Sequence, residues 1–221
     1  MHLPSPIRSL PRIGFIGFGE LGRQIAALAS SPTSQAGEVL YFDDLAHAEG
    51  VAGAVPFASF TDERYADTSF FVCLGYKHLK RKLEIVQQLA ALGRTLPPLV
   101  HPSSFVHPTA RVGRGTVAYP MCNLDKEVQI GSGVLLNNSV VISHNSVIGD
   151  GSYLSPGVVV SGFVSVGART FIGSGAVISN GIKIGCDVTI GIGTVVVQDV
   201  PDHASVLGNP GRILNRPLRL N

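Results

Sequence analysis

Seven histidines, three cysteines and one cluster of glycines hold most of the reactive or ligand-binding potential of this 221-residue chain. His144 lies in the stretch LNNSVVISHNSVIGDGSYLSPG, at the third position of a six-residue pattern that turns its side chain outward, and Asn145 follows it. An imidazole exchanges protons near neutral pH, although most exposed histidines are plain surface residues. His101 and His107 each precede a proline and read as structural. His47 and His203 fall in loops, and His2 in the first residues of the chain. Cys73, Cys122 and Cys186 are widely spaced and include no CxxC, which fits a reducing cytoplasm and neither a disulfide framework nor a structural zinc site. Cys122 falls at an inward position and is a poor nucleophile.

Gly17, Gly19 and Gly22 (GFGELG) have the G-x-G-x-x-G spacing that lets backbone N–H groups and a helix N-terminus approach a phosphate. Asp43 and Asp44 follow at the distance from which a carboxylate binds a ribose. The alternative is a tight strand-to-helix turn with no ligand, and Asp44 as a helix cap. Lys77, His78, Lys80, Arg81 and Lys82 either face a diphosphate or make a solvated helix face. An NAD-dependent enzyme is the rival reading. Against it, the segment is only about half of a full dinucleotide fold, which suits a mononucleotide or a nucleotide carried on a sugar.

The elements that position these groups differ between the two halves of the chain. Residues 12–17 read as a buried strand, 20–30 as a helix and 38–42 as a second strand. A third strand spans 69–75, a basic amphipathic helix 76–92 and a last short strand 95–100, leading into His101-Pro102. This alternation predicts a parallel sheet flanked by helices.

From residue 106 to 196 an aliphatic side chain recurs every six positions, interrupted in size only by Ala118. A small or β-branched residue follows four places later, and Gly often directly after, as at Gly113, Gly131, Gly149, Gly167, Gly173, Gly185 and Gly191. A period of six matches neither 3.6 nor 3.5, so a helix is excluded. The pattern predicts a solenoid of three flat faces per coil, with two inward positions per hexad and Gly relieving the backbone at the corners. Three hexads per coil stack equivalent residues at the roughly 4.8 Å spacing of paired strands.

Only 14% of residues are charged and the net charge is +2, with no basic cluster that asks for nucleic acid or an anionic membrane. The apolar runs are too short to span a bilayer, and the Pro-broken start (MHLPSPIRSLPR) lacks the apolar core of a signal peptide. A cytoplasmic protein is expected.

The repeats are the hexapeptide pattern of left-handed β-helix proteins, most of which are acyltransferases and trimers. The order of parts resembles one group among them: a short GxGxxG domain, an acidic pair, a strand ending in Gly, an HP junction, then hexapeptides. That group is the bacterial sugar acetyltransferases related to sialic acid O-acetyltransferases and to N-acetyltransferases of nucleotide-linked 4-amino-sugars. The resemblance implies a Rossmann-like nucleotide-sugar domain over 1–100, a left-handed parallel β-helix over 101–212 and a tail over 213–221. It implies acetyl-CoA as co-substrate, a nucleotide-diphospho-amino-sugar as acceptor, a homotrimer, direct transfer and no metal.

Residue by residue, the same resemblance makes His144 the general base, oriented by Asn145, where the group carries Asp or Glu. An amide can orient an imidazole but cannot supply charge to an imidazolium. Gly162 N–H would hold the thioester carbonyl. Gly162, Gly173, Asn209 and Arg212 would border the CoA; Gly17, Gly19, Gly22, Asp43, Asp44, Lys77 and Asn137 the sugar nucleotide. A further histidine that the group carries near position 153 is Tyr153 here. The closing VLGNPGR resembles a motif beside the CoA site, and its plainer reading is a turn covering the end of the solenoid. Alternatives are O-acetylation of a sialic acid-like sugar, an inactive nucleotide-sugar-binding homologue, and a zinc enzyme of the carbonic anhydrase kind, which would need three converging histidines.

Overall fold

The computed structural model describes residues 10, 12–29, 37–214 and 217–218. His2, Ser30 and most of the expected 213–221 tail lie outside them. The chain divides into two compact units, one ending at Leu99 and the other beginning at Val100.

The first unit is built on four parallel strands, β1 (Arg12–Ile16), β2 (Glu38–Phe42), β3 (Ala54–Val55) and β4 (Ser69–Val72), in the order β3-β2-β1-β4. Ile13 to Ile16 are all buried, as a strand covered on both faces requires. The helices are α1 (Glu20–Ala29), α2 (Asp44–Ala48) and α3 (Leu79–Ala91). Helix α1 buries Gly22, Ile25, Ala26 and Ala29, one face at helical spacing. Ile16, Phe42, Phe70, Ile85 and Leu89 make the centre of the core, while Phe15 stacks between Tyr41 and Phe71.

Several sequence expectations need correction here. The third long strand stops at Val72, although Cys73 N–H still donates to Ile16 O. Thr95 makes one isolated bridge with Ser69, and only Leu99–Val100 forms a strand. The basic helix begins as a 3₁₀ turn at Tyr76–His78 and becomes α-helical at Leu79. Between β2 and β4 the chain adds α2, β3 and two 3₁₀ turns, Phe57–Thr61 and Glu63–Tyr65, each too short to show a periodicity. Buried Arg94 fastens these turns through the carbonyls of Thr61 and Asp62.

The second unit is a three-sided parallel β-helix. The coils take eighteen residues each, as the pairings Gln129↔Val147, Leu135↔Tyr153 and Val141↔Val159 show, until the last, where Thr189 pairs with Ser205. The aliphatic position of each hexad points inward, and from Leu124 to Val196 every such residue is buried. Each contributes on the order of 1.5–3 kcal/mol. Where the second inward position carries a hydroxyl, that group is bonded. Thr170 Oγ1 donates to Gly185 O and accepts from Val188 N–H, and Ser146 does the same with Ser161 O and Val164 N–H. A buried hydroxyl so paired avoids the desolvation penalty of an unmade bond.

The hexad glycines act differently from the expectation. None of those directly after the aliphatic position has positive φ. At Gly149 and Gly167, a Cβ would collide with backbone of the next coil, so these residues permit close stacking. The turn is made two positions later, by a residue in the left-handed region: Gly133, Ser139, Asn145, Gly151, Gly157, Phe163, Arg169 and others.

At the far end Ser205–Leu207 pairs parallel with Thr189–Ile190 and antiparallel with Arg212–Ile213. This short hairpin covers the last strand edge of its sheet, which an exposed solenoid end requires.

Candidate functional site

One corner of the β-helix stacks Lys126, His144, Gly162, Asn180 and Gln198 in a column, each one coil above the last. The pairings Asn145 N–H to Lys126 O, Phe163 N–H to His144 O and Gly181 N–H to Gly162 O hold this column in register. His144 and Asn180 are exposed and Gly162 is buried between them.

The imidazole of His144 leans over Gly162, where the column lacks a side chain. A methyl group on Gly162 would lie 2.7 Å from Cε1 and 2.8 Å from Nε2 of His144, and 3.0 Å from Oδ1 of Asn180. Gly162 is not among the positive-φ residues, so its glycine serves space rather than conformation. Its N–H has no acceptor among the described residues. Nδ1 of His144 lies 3.2 Å from Oδ1 of Asn145. An amide oxygen is an acceptor, so this contact puts the proton on Nδ1 and leaves the Nε2 lone pair open.

Two left-handed residues frame the ring. Asn145 has φ +60°, a conformation asparagine tolerates better than most residues. Phe163 has φ +57°, which a bulky side chain adopts only at a cost. Its ring stands edge-on to His144 with centroids 5.0 Å apart, yet it is 58% exposed. Little apolar burial offsets the strain.

The other expected residues are dispersed. Asn137 lies at the preceding corner of the same coil, beyond the strand Val141–Ile142, and no hydrogen bond joins it to His144 among the described residues. Its Nδ2 donates to Tyr153 Oη at 3.3 Å and its Oδ1 accepts from Asn138 N–H. Gly173 packs against the backbone of Gly191 and Ile192, which accounts for its glycine without a ligand. Asn209 and Arg212 are exposed in the closing hairpin. Cys122 is buried with Sγ 3.2 Å from Asn137 O, and burial pushes its thiol up from the ordinary value.

His101 and His107 prove structural. Nδ1 of each accepts the N–H two residues on, from Ser103 and Thr109. The hydroxyls of Ser103 and Thr109 in turn accept Met121 N–H and Glu127 N–H from the next coil.

In the first unit the glycine turn has the geometry its spacing implies. Gly17 has φ +89°. A Cβ on Gly22 would strike the Gly17 carbonyl, whereas Gly19 faces open space. This turn lies beside the end of β4, since a Cβ on Gly17 would meet Leu74 and the Cys73 carbonyl. Strands β1 and β4 carry their helices away in opposite directions along the sheet order, the switch point at which open sheets bind ligands. Exposed Lys77 follows in the 3₁₀ turn.

Asp43, and not Asp44, is the helix cap. Its Oδ1 accepts Ala46 N–H at 3.0 Å while Oδ2 accepts Phe18 N–H at 2.8 Å, inside the glycine turn. One carboxylate thus ties two turns together. Asp44 is exposed and accepts Phe57 N–H. Lys82 also departs from expectation. It is 2% exposed, and its Nζ has no partner among the described residues. Burial lowers its pKa to about 7, against a small opposing influence of Cys73.

Sequence reasoning passed over Asn180 and Phe163. The signal for Asn180 was its position thirty-six residues, two whole coils, beyond His144.

Residues 127–162 and 145–180 match the family described as Bacterial transferase hexapeptide (six repeats). Solved structures cover nearly the whole chain. The acetyltransferase domain of PglB from Neisseria gonorrhoeae FA1090, in complex with acetyl coenzyme A, is 28% identical with a TM-score of 0.83, covering 93% of this chain and 100% of that one. PerB from Caulobacter crescentus, in complex with CoA and GDP-perosamine, is 27% identical with a TM-score of 0.79, covering 94% and 99%. WeeI from Acinetobacter baumannii AYE, 24% identical with a TM-score of 0.79 over 91% and 99%, shares the fold.

Proposed function

From a hexapeptide-repeat chain with the two-part fold of bacterial sugar acetyltransferases, we propose that this protein transfers an acetyl group from acetyl-CoA to the amine of a nucleotide-linked 4-amino-6-deoxy-sugar. His144 is the general base. The observation that carries this reading is the disposition of its ring, with Nδ1 on Asn145 Oδ1 and Nε2 over Gly162.

The chemistry follows from those atoms. The neutral amine attacks the thioester carbonyl, and Nε2 of His144 takes the proton that the forming N–C bond makes acidic. The carbonyl oxygen gains charge and is met by Gly162 N–H, a donor already in place. The C–S bond breaks and the thiolate leaves, taking the proton from Nε2 to become CoA thiol and restoring the neutral base. Transfer is direct: Cys73 and Cys122 are buried with their thiols raised by that burial, and Cys186 falls outside the column of residues that holds His144.

In the first unit the turn from Gly17 to Gly22 and exposed Lys77 hold the diphosphate, and Asp44 has the exposed carboxylate that a ribose needs. Asp43 shapes that turn through Phe18 N–H. Asn137 contacts the sugar, and Gly173, Asn209 and Arg212 border the CoA. The active form is a homotrimer in the cytoplasm. Among the described residues no helix is long and apolar enough to cross a membrane.

Support for donor and acceptor comes from the complexes of the similar proteins, acetyl coenzyme A in one and CoA with GDP-perosamine in the other. Calorimetric titration with acetyl-CoA and with UDP-, GDP- and dTDP-sugars tests binding, and thiol release with the corresponding 4-amino-sugars tests transfer. Absence of thiol release with every acceptor sinks the reading.

A further inference from the structure

Two acceptor atoms converge on the gap in the corner column. Nε2 of His144 lies 2.8 Å, and Oδ1 of Asn180 3.0 Å, from the place a Cβ on Gly162 would take, so the two atoms stand within about 6 Å of each other, facing the open space outside that Cα. They arrive from opposite sides, one from the coil below and one from the coil above. Gly162 is what lets both side chains lean inward, since any larger residue would hold them apart. Asn180 is exposed and its amide makes no hydrogen bond among the described residues, so none of those residues accounts for its orientation.

Two acceptors this close suit a donor with two hydrogens on one atom. A tetrahedral nitrogen presents its N–H bonds about 109° apart, and acceptors at ordinary hydrogen-bond length from it stand about 5 Å from each other. A sugar hydroxyl has one hydrogen and would leave the second acceptor unmet, which is costly once water is excluded. The arrangement therefore bears on the class of acceptor, amine or alcohol.

We propose that Asn180 is a specificity-determining residue that selects a primary amine: its Oδ1 accepts one N–H of the nucleophile while Nε2 of His144 accepts the other. This rests on the acetyl-transfer reading above and narrows its acceptor. As the nitrogen forms its bond to the acetyl carbon, the hydrogen facing His144 passes to Nε2. The hydrogen facing Asn180 stays on nitrogen and becomes the amide hydrogen of the product. The C–S bond breaks and the sulfur takes that same proton from Nε2 to leave as CoA thiol, which returns His144 to its neutral form, so atoms and charge balance. Asn180 holds the lone pair toward the thioester and takes no proton itself.

The test compares the full-length wild type with Asn180→Ala and Asn180→Gln on paired acceptors, nucleotide-linked 4-amino-6-deoxy-sugars and their 4-hydroxy counterparts. For the amine, Asn180→Ala is expected to lower kcat about tenfold, the scale of one lost hydrogen bond in the transition state, with the KM for acetyl-CoA unchanged. Any slow reaction of the hydroxyl sugar should change less than twofold, so the preference for amine over hydroxyl narrows. Asn180→Gln should recover part of the loss. Melting temperatures of the three proteins should agree, since the side chain is exposed.

Equal loss on both acceptors, or an effect confined to the KM for acetyl-CoA, overturns the assignment by placing Asn180 on the donor side. A wild type that acetylates a sugar hydroxyl and no amine overturns it too, while leaving acetyl transfer intact. A wild type that releases no thiol with any acceptor overturns both readings.

Discussion

The imidazole edge of His144 leans over Gly162 so closely that a methyl group on that residue would come within 2.7 Å of Cε1. Real Cβ contacts do not reach that distance, and the neighbour must move. Gly162→Ala therefore displaces the ring and blocks the N–H beside it. Because the collision is with an exposed side chain, the fold absorbs the change. We expect kcat to fall by about 10²-fold, the scale of a lost oxyanion donor or a misplaced base, with a melting temperature within a few degrees of wild type. Thiol-release kinetics and a thermal melt check both halves. Wild-type activity in the alanine variant removes Gly162 from the site.

His144→Ala should lower kcat by roughly 10² or more, as loss of a general base does. Asn145→Asp tests the neighbour separately. A carboxylate at the Nδ1 contact adds a negative charge beside the ring and favours imidazolium. The acid limb of the kcat/KM profile, where protonation removes the base, should then move to higher pH than in the wild type. The left-handed backbone is retained, because Asp tolerates φ +60° as Asn does. An acid limb at the same pH in both proteins would falsify the contact between Asn145 and Nδ1.

Phe163 trades stability for position. Its left-handed backbone costs on the order of 1–3 kcal/mol, and an aromatic that is 58% exposed recovers little of that by burial. Phe163→Gly relieves the strain and takes away the edge contact that limits the swing of His144. The expected result is a melting temperature equal to or above wild type together with a several-fold lower kcat. A less stable variant with full activity would show that the ring serves folding alone.

The β-helix was legible because its covalent period and its spatial period coincide: a residue six along is on the next face, and one eighteen along is directly above. That arithmetic also placed His144 outside and Cys122 inside. It did not reveal Asn180, whose meaning depends on two side chains leaning into the space over Gly162, a property of no single hexad. The corner glycines were misread because sequence shows where glycine occurs but not whether conformation or crowding demands it; Gly149 answers crowding, Gly151 conformation. Asp43 and Asp44 are adjacent and chemically alike, and only the path of the chain decides which one meets both Phe18 and Ala46. For Lys82 the signal was present, since Leu79, Lys82, Leu83 and Val86 share one helical face. A charge at that place in the pattern argued for solvent, and the core won.

That buried lysine gives the first unit a pH dependence of definite sign. Burial lowers the Lys82 ammonium from its ordinary 10.5 to about 7 in the folded chain. Between those values the unfolded chain binds a proton that the folded one does not, so stability rises with pH across that window. Below about pH 7 both states are protonated and the whole cost of burying the charge is felt. Cys73 works in the opposite direction, because burial raises its thiol pKa from 9.0. Above about pH 9 the unfolded chain releases a proton that the folded one keeps, which offsets the rise from Lys82 up to about pH 10.5 and lowers stability beyond it. Hydrogen-exchange protection of β1 and β4 should accordingly climb from pH 7 and level off near pH 9, after correction for intrinsic exchange. Lys82→Met keeps the length and apolar body of the side chain without the ammonium. It should raise protection most at pH 6–7 and abolish the climb, leaving only the decline set by Cys73. If the variant retains the wild-type climb, the titrating group lies elsewhere and Lys82 is not buried in the charged form at low pH.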